Sequence, residues 1–325
     1  MDQNIINKFK IAYKKIMEAK NILLITHERP DGDALASVCT LIDLLEKFNK
    51  KYTAFCQDNP TSNYSWLPFI DKLETKHSVV ENLTNYDLII ILDCGNKKRT
   101  GLAKEINLKT PNQFIIEFDH HLKVDDYADL EIRFPEAAAT TEVLYYFFKI
   151  NNLKITKNIA NCILAGILTD TANFLYQSTS DKTTEIASEM LSYGANFTKI
   201  VEKTWRNKDL SSMKLFGTAL NNLIINKKYN LAFSILSLSE IKKYENNEDV
   251  FDGIANFLGN LHGVKGIMLL REEAGGKIKG SLRSSHPEAD MSKLAVLLGG
   301  GGHMKSAGFC IEGKLKKEGN KWKIE

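Results

Sequence analysis

His27-Glu28-Arg29-Pro30-Asp31-Gly32-Asp33-Ala34 is the stretch that decides the fold. Ahead of it, residues 21–25 form an apolar run of the length of a buried strand. Behind it, residues 34–48 carry apolar side chains at helical spacing. Between the two, Pro30 and Gly32 interrupt regular structure in a loop that crowds one histidine and two aspartates together. The same order of apolar run, polar turn and helical stretch recurs downstream. Residues 87–92 are apolar and end at Asp93; residues 113–118 end at Asp119-His120-His121. Residues 5–19, 140–149 and 155–168 have helical periodicity, and the last of these leads into Thr169-Asp170. Alternation of this kind predicts an α/β domain with a mainly parallel sheet flanked by helices. Ligands of open α/β sheets bind at the carboxyl ends of the strands, which is where these polar residues fall.

Further out, the texture changes near residue 190. Residues 191–215 are polar and helix-prone and read as a helical linker after a first domain of residues 1–190. Strand-like runs follow at 230–236, 265–273 and 277–283, then a short helix at 291–298, the run Gly299 to Gly302, and a last strand from Ala307. The expectation is a smaller α+β domain over residues 216–325, with an active-site cleft between the two domains. A chain of 325 residues is ample for two cores.

Composition excludes several classes. Hydrophobic residues are 43% and charged residues 26% of the chain, an ordinary globular balance. A formal net charge of +3 lacks the basic excess of a protein that tracks long duplex nucleic acid. No apolar run approaches the ~18–20 residues needed to span a bilayer. Residues 1–10 have no apolar signal core. Cys39, Cys56, Cys94, Cys162 and Cys310 are scattered without CxxC spacing, so neither a disulfide framework nor a thiolate zinc site is expected. A cytoplasmic protein without a membrane partner is the resulting expectation, and base rates admit a homodimer.

Four segments carry hard-metal ligands: His27, Asp31 and Asp33; Asp93; Asp119, His120 and His121; and Asp170. Carboxylates with imidazoles suit Mn2+, with Mg2+ or Co2+ as alternatives. Two divalent cations about 3.5–4 Å apart can clamp phosphate oxygens and acidify a water, and they need several anionic ligands to stay together. Asp31, Asp33, Asp93 and Asp170 would balance two such ions. A single aspartate after a strand is ordinarily a turn residue or a helix cap, and Asp33 has the sequence position of an N-cap. Thr140, Thr141 and Glu142 read as the cap of another helix. It is the placing of all four segments at sheet ends that points to a metal centre. In the second domain, Gly280-Ser281-Leu282-Arg283-Ser284-Ser285 and the run Gly299-Gly300-Gly301-Gly302-His303 offer amides, a guanidinium and an imidazole to an anion. Arg99, six residues after Asp93, is a further candidate for a phosphate contact.

In order and spacing, the motifs around His27–Ala34, Asp93, Asp119–His121 and Thr169-Asp170 resemble those of the DHH phosphoesterase superfamily. The later Ser-Leu-Arg-Ser and glycine-histidine motifs are similar to the DHH-associated C-terminal domain. Over nearly the whole chain the sequence resembles the NrnA-like bifunctional oligoribonuclease (nano-RNase) and pAp phosphatase family. The resemblance implies that His27, Asp31 and Asp93 hold one Mn2+ and that Asp33, Asp93, His120 and Asp170 hold a second, with Asp93 shared. It implies that His121 faces the substrate phosphate and that Asp119 orients a histidine. It implies a nucleotide pocket lined by Arg283, Ser284, Gly300, Gly301, Gly302 and His303. The activity implied is hydrolysis of short oligoribonucleotides to mononucleotides and of pAp to AMP. The alternative is a soluble phosphodiesterase acting on pApA or cyclic di-AMP. A non-catalytic nucleotide sensor is the alternative of another class; the full set of four carboxylates argues against it. A RecJ-type exonuclease would bring extra domains, and a membrane-tethered cyclic dinucleotide phosphodiesterase would need transmembrane segments.

Overall fold

The computed structural model describes residues 2–176, 178–206, 208–244, 249–302, 304–318 and 321–325. The chain divides into two compact units, Met1–Asn207 and Lys208–Glu325. Among the described residues no helix is long and apolar enough to cross a membrane.

The first unit runs α1 (Gln3–Glu18), β1 (Ile22–Thr26), α2 (Gly32–Lys47), β2 (Tyr52–Phe55), β3 (Leu73–Glu74), β4 (Leu88–Leu92), α3 (Ala103–Asn107), β5 (Phe114–Asp119), β6 (Leu130–Arg133), α4 (Thr140–Ile150), α5 (Lys157–Asp170), α6 (Asp181–Ser192) and α7 (Phe197–Thr204). Its strands form one sheet in the order β3-β2-β1-β4-β5-β6, with every neighbouring pair parallel. β1 and β4 are buried throughout and, apart from Thr26, apolar, because both faces of the sheet are covered. Ile22, Leu24, Ile90, Leu92, Ile116 and Phe118 turn to one face and pack with α1, α2, α4 and α5. Leu23, Ile25, Ile89, Ile91 and Ile115 turn to the other and meet Leu102 and Ile106. Truncating one of the fully buried residues, such as Leu35, to alanine is expected to destabilise by about 2–5 kcal/mol.

The strand order reverses between β1 and β4, so the loops leaving those two strands diverge and open a crevice at their carboxyl ends. Loop His27–Asp31 leaves β1 there and Asp93 leaves β4. Two helices close on this crevice at distances that exclude side chains. A Cβ on Gly32 would lie 2.5 Å from Thr169 of α5. A Cβ on Gly166 would lie 2.2 Å from the Thr141 hydroxyl and 2.3 Å from Asp33 Oδ1. Asp170 is the last residue of α5 rather than part of a loop at a sheet end. No glycine or proline follows Leu168 to stop the helix, and its hydrogen bonding continues to Thr171 N, which donates to Ile167 O at 3.0 Å.

The second unit runs α8 (Leu210–Asn221), β7 (Ile224–Asn226), β8 (Leu231–Leu236), α9 (Leu238–Ile241), α10 (Asp249–Leu258), β9 (Gly266–Glu273), β10 (Lys277–Arg283), α11 (Met291–Leu297), β11 (Gly301–Gly302), β12 (Ser306–Glu312), β13 (Leu315–Glu318) and β14 (Lys321–Ile324). Its sheet has the order β11-β12-β10-β9-β8-β7 and is mixed: β8 and β9 are parallel and the other pairs antiparallel. One face packs on α8 and α10 through Ala232, Ile267 and Leu269. The other carries Ile278, Leu282, Ala307 and Phe309 against α11. β13 and β14 pair with each other in a separate antiparallel sheet.

Candidate metal centre

β1 ends in Thr26, and His27 follows it into the crevice, 2% exposed. Its Nδ1 lies 2.7 Å from Glu28 O, a carbonyl, so Nδ1 carries the proton and the Nε2 lone pair faces inward. Nε2 is buried without a hydrogen-bond partner. It stands 3.8 Å from Asp31 Oδ2 and 3.7 Å from Asp93 Oδ2, beyond hydrogen-bond reach of either. Asp31 divides its two oxygens: Oδ1 accepts from Asp33 N and Ala34 N, capping α2, and Oδ2 faces His27. The N-cap of α2 is therefore Asp31 and not Asp33. Asp33 lies one residue into the helix and points into the protein, fully buried.

Asp93 adopts a left-handed conformation, φ 61°, at the exit of β4. A non-glycine residue there stores about 1–3 kcal/mol of strain, and the surrounding structure must hold it. Its Oδ1 lies 3.5 Å from His120 Nε2 and 3.4 Å from His121 Nδ1. His120 repeats the logic of His27: Nδ1 is 3.2 Å from Ala137 O, and Nε2 faces Asp93 and, at 3.2 Å, Asp170 Oδ2. The structure thus brings together three overlapping groups whose ligand atoms lie within 4.8 Å of one another: His27, Asp31 and Asp93; Asp33, His120 and Asp170; and Asp93, His120 and His121.

Two threonines absent from the expected site hold these carboxylates. Thr140 N donates to Asp33 Oδ2 at 2.6 Å and the Thr140 hydroxyl to Asp93 Oδ1 at 2.8 Å. Thr141 gives Asp33 Oδ1 both its amide, at 3.1 Å, and its hydroxyl, at 2.7 Å. They do not cap α4, whose N-cap is Ala139. Instead the first amides of that helix, where the helix dipole is positive, are aimed at Asp33. A pair of threonines before a helical run has the local signature of a cap, and only the contact across the fold distinguishes the two roles. Asp119 is fully buried; its Oδ1 accepts from His121 N and lies 2.8 Å from His121 Nδ1, while Oδ2 accepts from Gly95 N at 2.6 Å. Arg99 stands beside the same turn and donates to Cys94 O at 3.3 Å.

The charges are frustrated in a specific way. Burial raises the Asp33 carboxyl to about 7, with Asp93 and Asp31 adding to the effect. Burial and the neighbouring carboxylates push Asp170 well above the usual range, against the pull of His120. Burial alone would lower His120, but Asp170, Asp93, Asp33 and Asp119 together raise it to about 9. Asp93 is driven upward by burial but held far below the usual carboxylate range by His27, His121 and His120.

In the second unit, Arg283 closes β10; its Nε donates to Asn256 Oδ1 at 2.6 Å and Nη1 to Leu282 O at 2.9 Å. Ser284 is buried, and its hydroxyl donates to Lys265 O at 2.6 Å and accepts from His286 N. Gly300 N donates to Ala295 O at 2.8 Å, closing the end of α11. Gly301 and Gly302 are exposed and pair with Gly308 and Ala307 of β12. His303 lies outside the described residues.

Residues 21–167 match the family model of the DHH family, N-terminal domain, and residues 229–321 match that of the DHHA1 domain. The chain thus carries a DHH-family N-terminal domain followed by a DHHA1 domain. It is 29% identical over 302 residues to the probable bifunctional oligoribonuclease and PAP phosphatase NrnA of Streptococcus mutans, covering 92% of each chain. It is 28% identical over 293 residues to the bifunctional oligoribonuclease and PAP phosphatase NrnA of Thermus thermophilus, covering 90% of this chain and 84% of that one. Among solved structures, an exopolyphosphatase-related protein from Bacteroides fragilis is similar with a TM-score of 0.85 at 27% identity, over 93% of this chain and 90% of that one. The DHH chain described here is accordingly a hydrolase acting on phosphate esters.

DHH phosphoesterases are metal-dependent, and these residues fit a metal. Two donors bound at about 2.1 Å and at right angles on one ion lie about 3 Å apart. The 3.2–3.8 Å separations among His27, Asp31, Asp93, His120 and Asp170 are of that order, and the 3.5–3.8 Å ones, His27 to Asp31 and Asp93 and His120 to Asp93, exceed ordinary hydrogen-bond lengths. Both imidazoles donate Nδ1–H to a backbone carbonyl, the arrangement that orients a metal-binding histidine.

Proposed function

We propose that this DHH phosphoesterase is a manganese-dependent enzyme that hydrolyses short oligoribonucleotides to mononucleotides and pAp to AMP. The observation that carries the reading is the cluster of four aspartates and two Nε2-directed histidines in the crevice between β1 and β4. The names of relatives that share about nine-tenths of the chain support the substrate class.

In this reading His27, Asp31 and Asp93 hold one ion, and Asp33, Asp93, His120 and Asp170 hold the other. Two bound divalent cations would supply an acidified water and neutralise charge on the phosphate oxygens. The protein's part is preorganisation. Thr140 and Thr141 hold Asp93 and Asp33 in place before any ligand arrives. His121 keeps Nδ1 on Asp119, and we assign its Nε2 to a phosphoryl oxygen, where a protonated ring would stabilise developing charge. Arg99 would add a second positive contact. We assign Arg283, Ser284, Gly301, Gly302 and His303 to the nucleotide portion of the substrate. Gly300, whose amide is engaged by Ala295, would contribute by letting the chain approach closely rather than by donating.

The test is a manganese-supplemented turnover assay offering pAp, an RNA dinucleotide, a long RNA and cyclic di-AMP side by side. Fast release of AMP from pAp or of mononucleotide from the dinucleotide, with the long RNA slow, is the expected result. Preference for cyclic di-AMP would move the enzyme to second-messenger hydrolysis on the same site. Nucleotide binding with no turnover of any substrate would retract catalysis.

A further inference from the structure

We infer that Arg133 is a positioning residue of the metal centre, a buried guanidinium that fixes the turn on which His120 and His121 sit. It is the last residue of β6, opposite Asp119 of β5 in register, and its side chain is 5% exposed. A charged residue in that position is normally a liability, because an ion removed from water needs partners on every side. Arg133 has them. Nη2 lies 2.7 Å from Glu117 Oε1, Nε 3.0 Å from Glu131 Oε1 and Nη1 3.4 Å from Asp119 Oδ2. Glu117 in turn accepts from the Tyr127 hydroxyl.

An ion pair that only joined two strands would stop at those carboxylates. Arg133 goes further: Nη1 also donates to the main-chain carbonyl of His121 at 2.9 Å and approaches that of Leu122 at 3.4 Å. Residues 121–129 have no helix or strand; the core and the sheet hold only its far end, through Tyr127, Ala128 and Asp129, whereas Leu122 and Val124 near its start are each 71% exposed. Arg133 and Asp119 grip it at its start. Through Asp119 the grip extends to Gly95 N, in the turn that leaves Asp93. One guanidinium therefore ties together the two turns that deliver Asp93, His120 and His121. A planar fork reaches a carboxylate on one arm and a carbonyl on the other; a lysine ammonium cannot do both with the same geometry.

This inference rests on the metal-centre reading above, and its test separates the two. Arg133→Lys and Arg133→Gln are titrated with Mn2+ alone, with Co2+ in a parallel arm, beside wild type. Arg271→Lys serves as control: Arg271 is equally buried, pairs with Glu273 and stacks on Phe251 in the second unit. The Arg133 variants are expected to bind the ion about 10–100-fold more weakly than wild type. Their kcat should fall in parallel with KM nearly unchanged. Arg271→Lys should keep wild-type metal affinity even if its melting point drops. Wild-type affinity and kcat in a folded Arg133→Lys would overturn the assignment. So would failure of both Arg133 variants to fold, which would make the residue purely structural. Wild type that binds the ion but turns over no phosphate ester would sink the proposed function and leave the affinity comparison intact.

Discussion

Asp33 in the first unit is fully buried, with both carboxylate oxygens met by donors from Thr140 and Thr141. Gly301 in the second unit lies exposed, with no atom within 4 Å of where a Cβ would stand. Both were candidates for binding, yet they are built on opposite plans. The metal-type site is held in place before its ligand arrives, because Thr140 and Thr141 fix the carboxylates of Asp33 and Asp93. The nucleotide-type segment is an accessible ribbon joined to its neighbour mainly through backbone. Substitutions should therefore be felt as chemistry and stability in the first region and as binding in the second.

The most severe test of that contrast is Asp93→Ala. It removes the carboxylate common to two of the ligand groups, and kcat/KM should fall by at least ~10³, or about 4 kcal/mol of transition-state stabilisation. Metal content measured on the purified variant should fall with it; full occupancy with full activity would break the metal-centre reading. Gly166→Ala comes next. The added methyl would sit 2.2 Å from the Thr141 hydroxyl, forcing α5 away from Asp33. A loss of about 1–3 kcal/mol in denaturant unfolding is expected, with metal affinity down by about tenfold or more. The matching Gly301→Ala should leave the melting temperature unchanged, since the space is open.

Proton release sharpens the comparison further. Before metal binds, His120 titrates near 9 and Asp33 near 7, both raised. An ion must displace those protons, so affinity should climb as pH rises from about 6 to about 9 and level off above. Calorimetry in two buffers of different ionisation enthalpy would count the protons; a pH-independent affinity would remove both residues from the ligand set. The smallest effect belongs to the second region. Arg283→Ala should raise KM several-fold and leave kcat and metal affinity alone. A change in kcat with constant KM would mean that this segment takes part in the chemistry.

The sheet's centre was legible in sequence because β1, β4 and β5 are buried on both faces and so read as mainly apolar runs, broken in β5 by Glu117. β6 was not: Leu130-Glu131-Ile132-Arg133 alternates, and an arginine in an alternating strand reads as solvent-facing, whereas Arg133 is buried among carboxylates. β2 and β3 are too short to carry a pattern, and α10 is interrupted by Gly253. The residues brought together at the crevice were visible as separate motifs, each at the end of an apolar segment. What holds them was invisible, since Thr140 and Thr141 act on a residue 107 and 108 positions away. His262, flanked by apolar residues in sequence, lies exposed in the turn after α10.

The order of the groups along the chain bears on how the protein is made. His27 and Asp33 leave the ribosome early, but β4, which pairs with β1 and carries Asp93 at its end, follows some sixty residues later, and Asp170 comes last. Until α5 has been synthesised, Asp33 and His120 lack their third companion. A nascent chain can thus offer a cation only fragments of the site. The group of Asp33, His120 and Asp170 is therefore the last of the three to be completed, after that of His27, Asp31 and Asp93 and that of Asp93, His120 and His121.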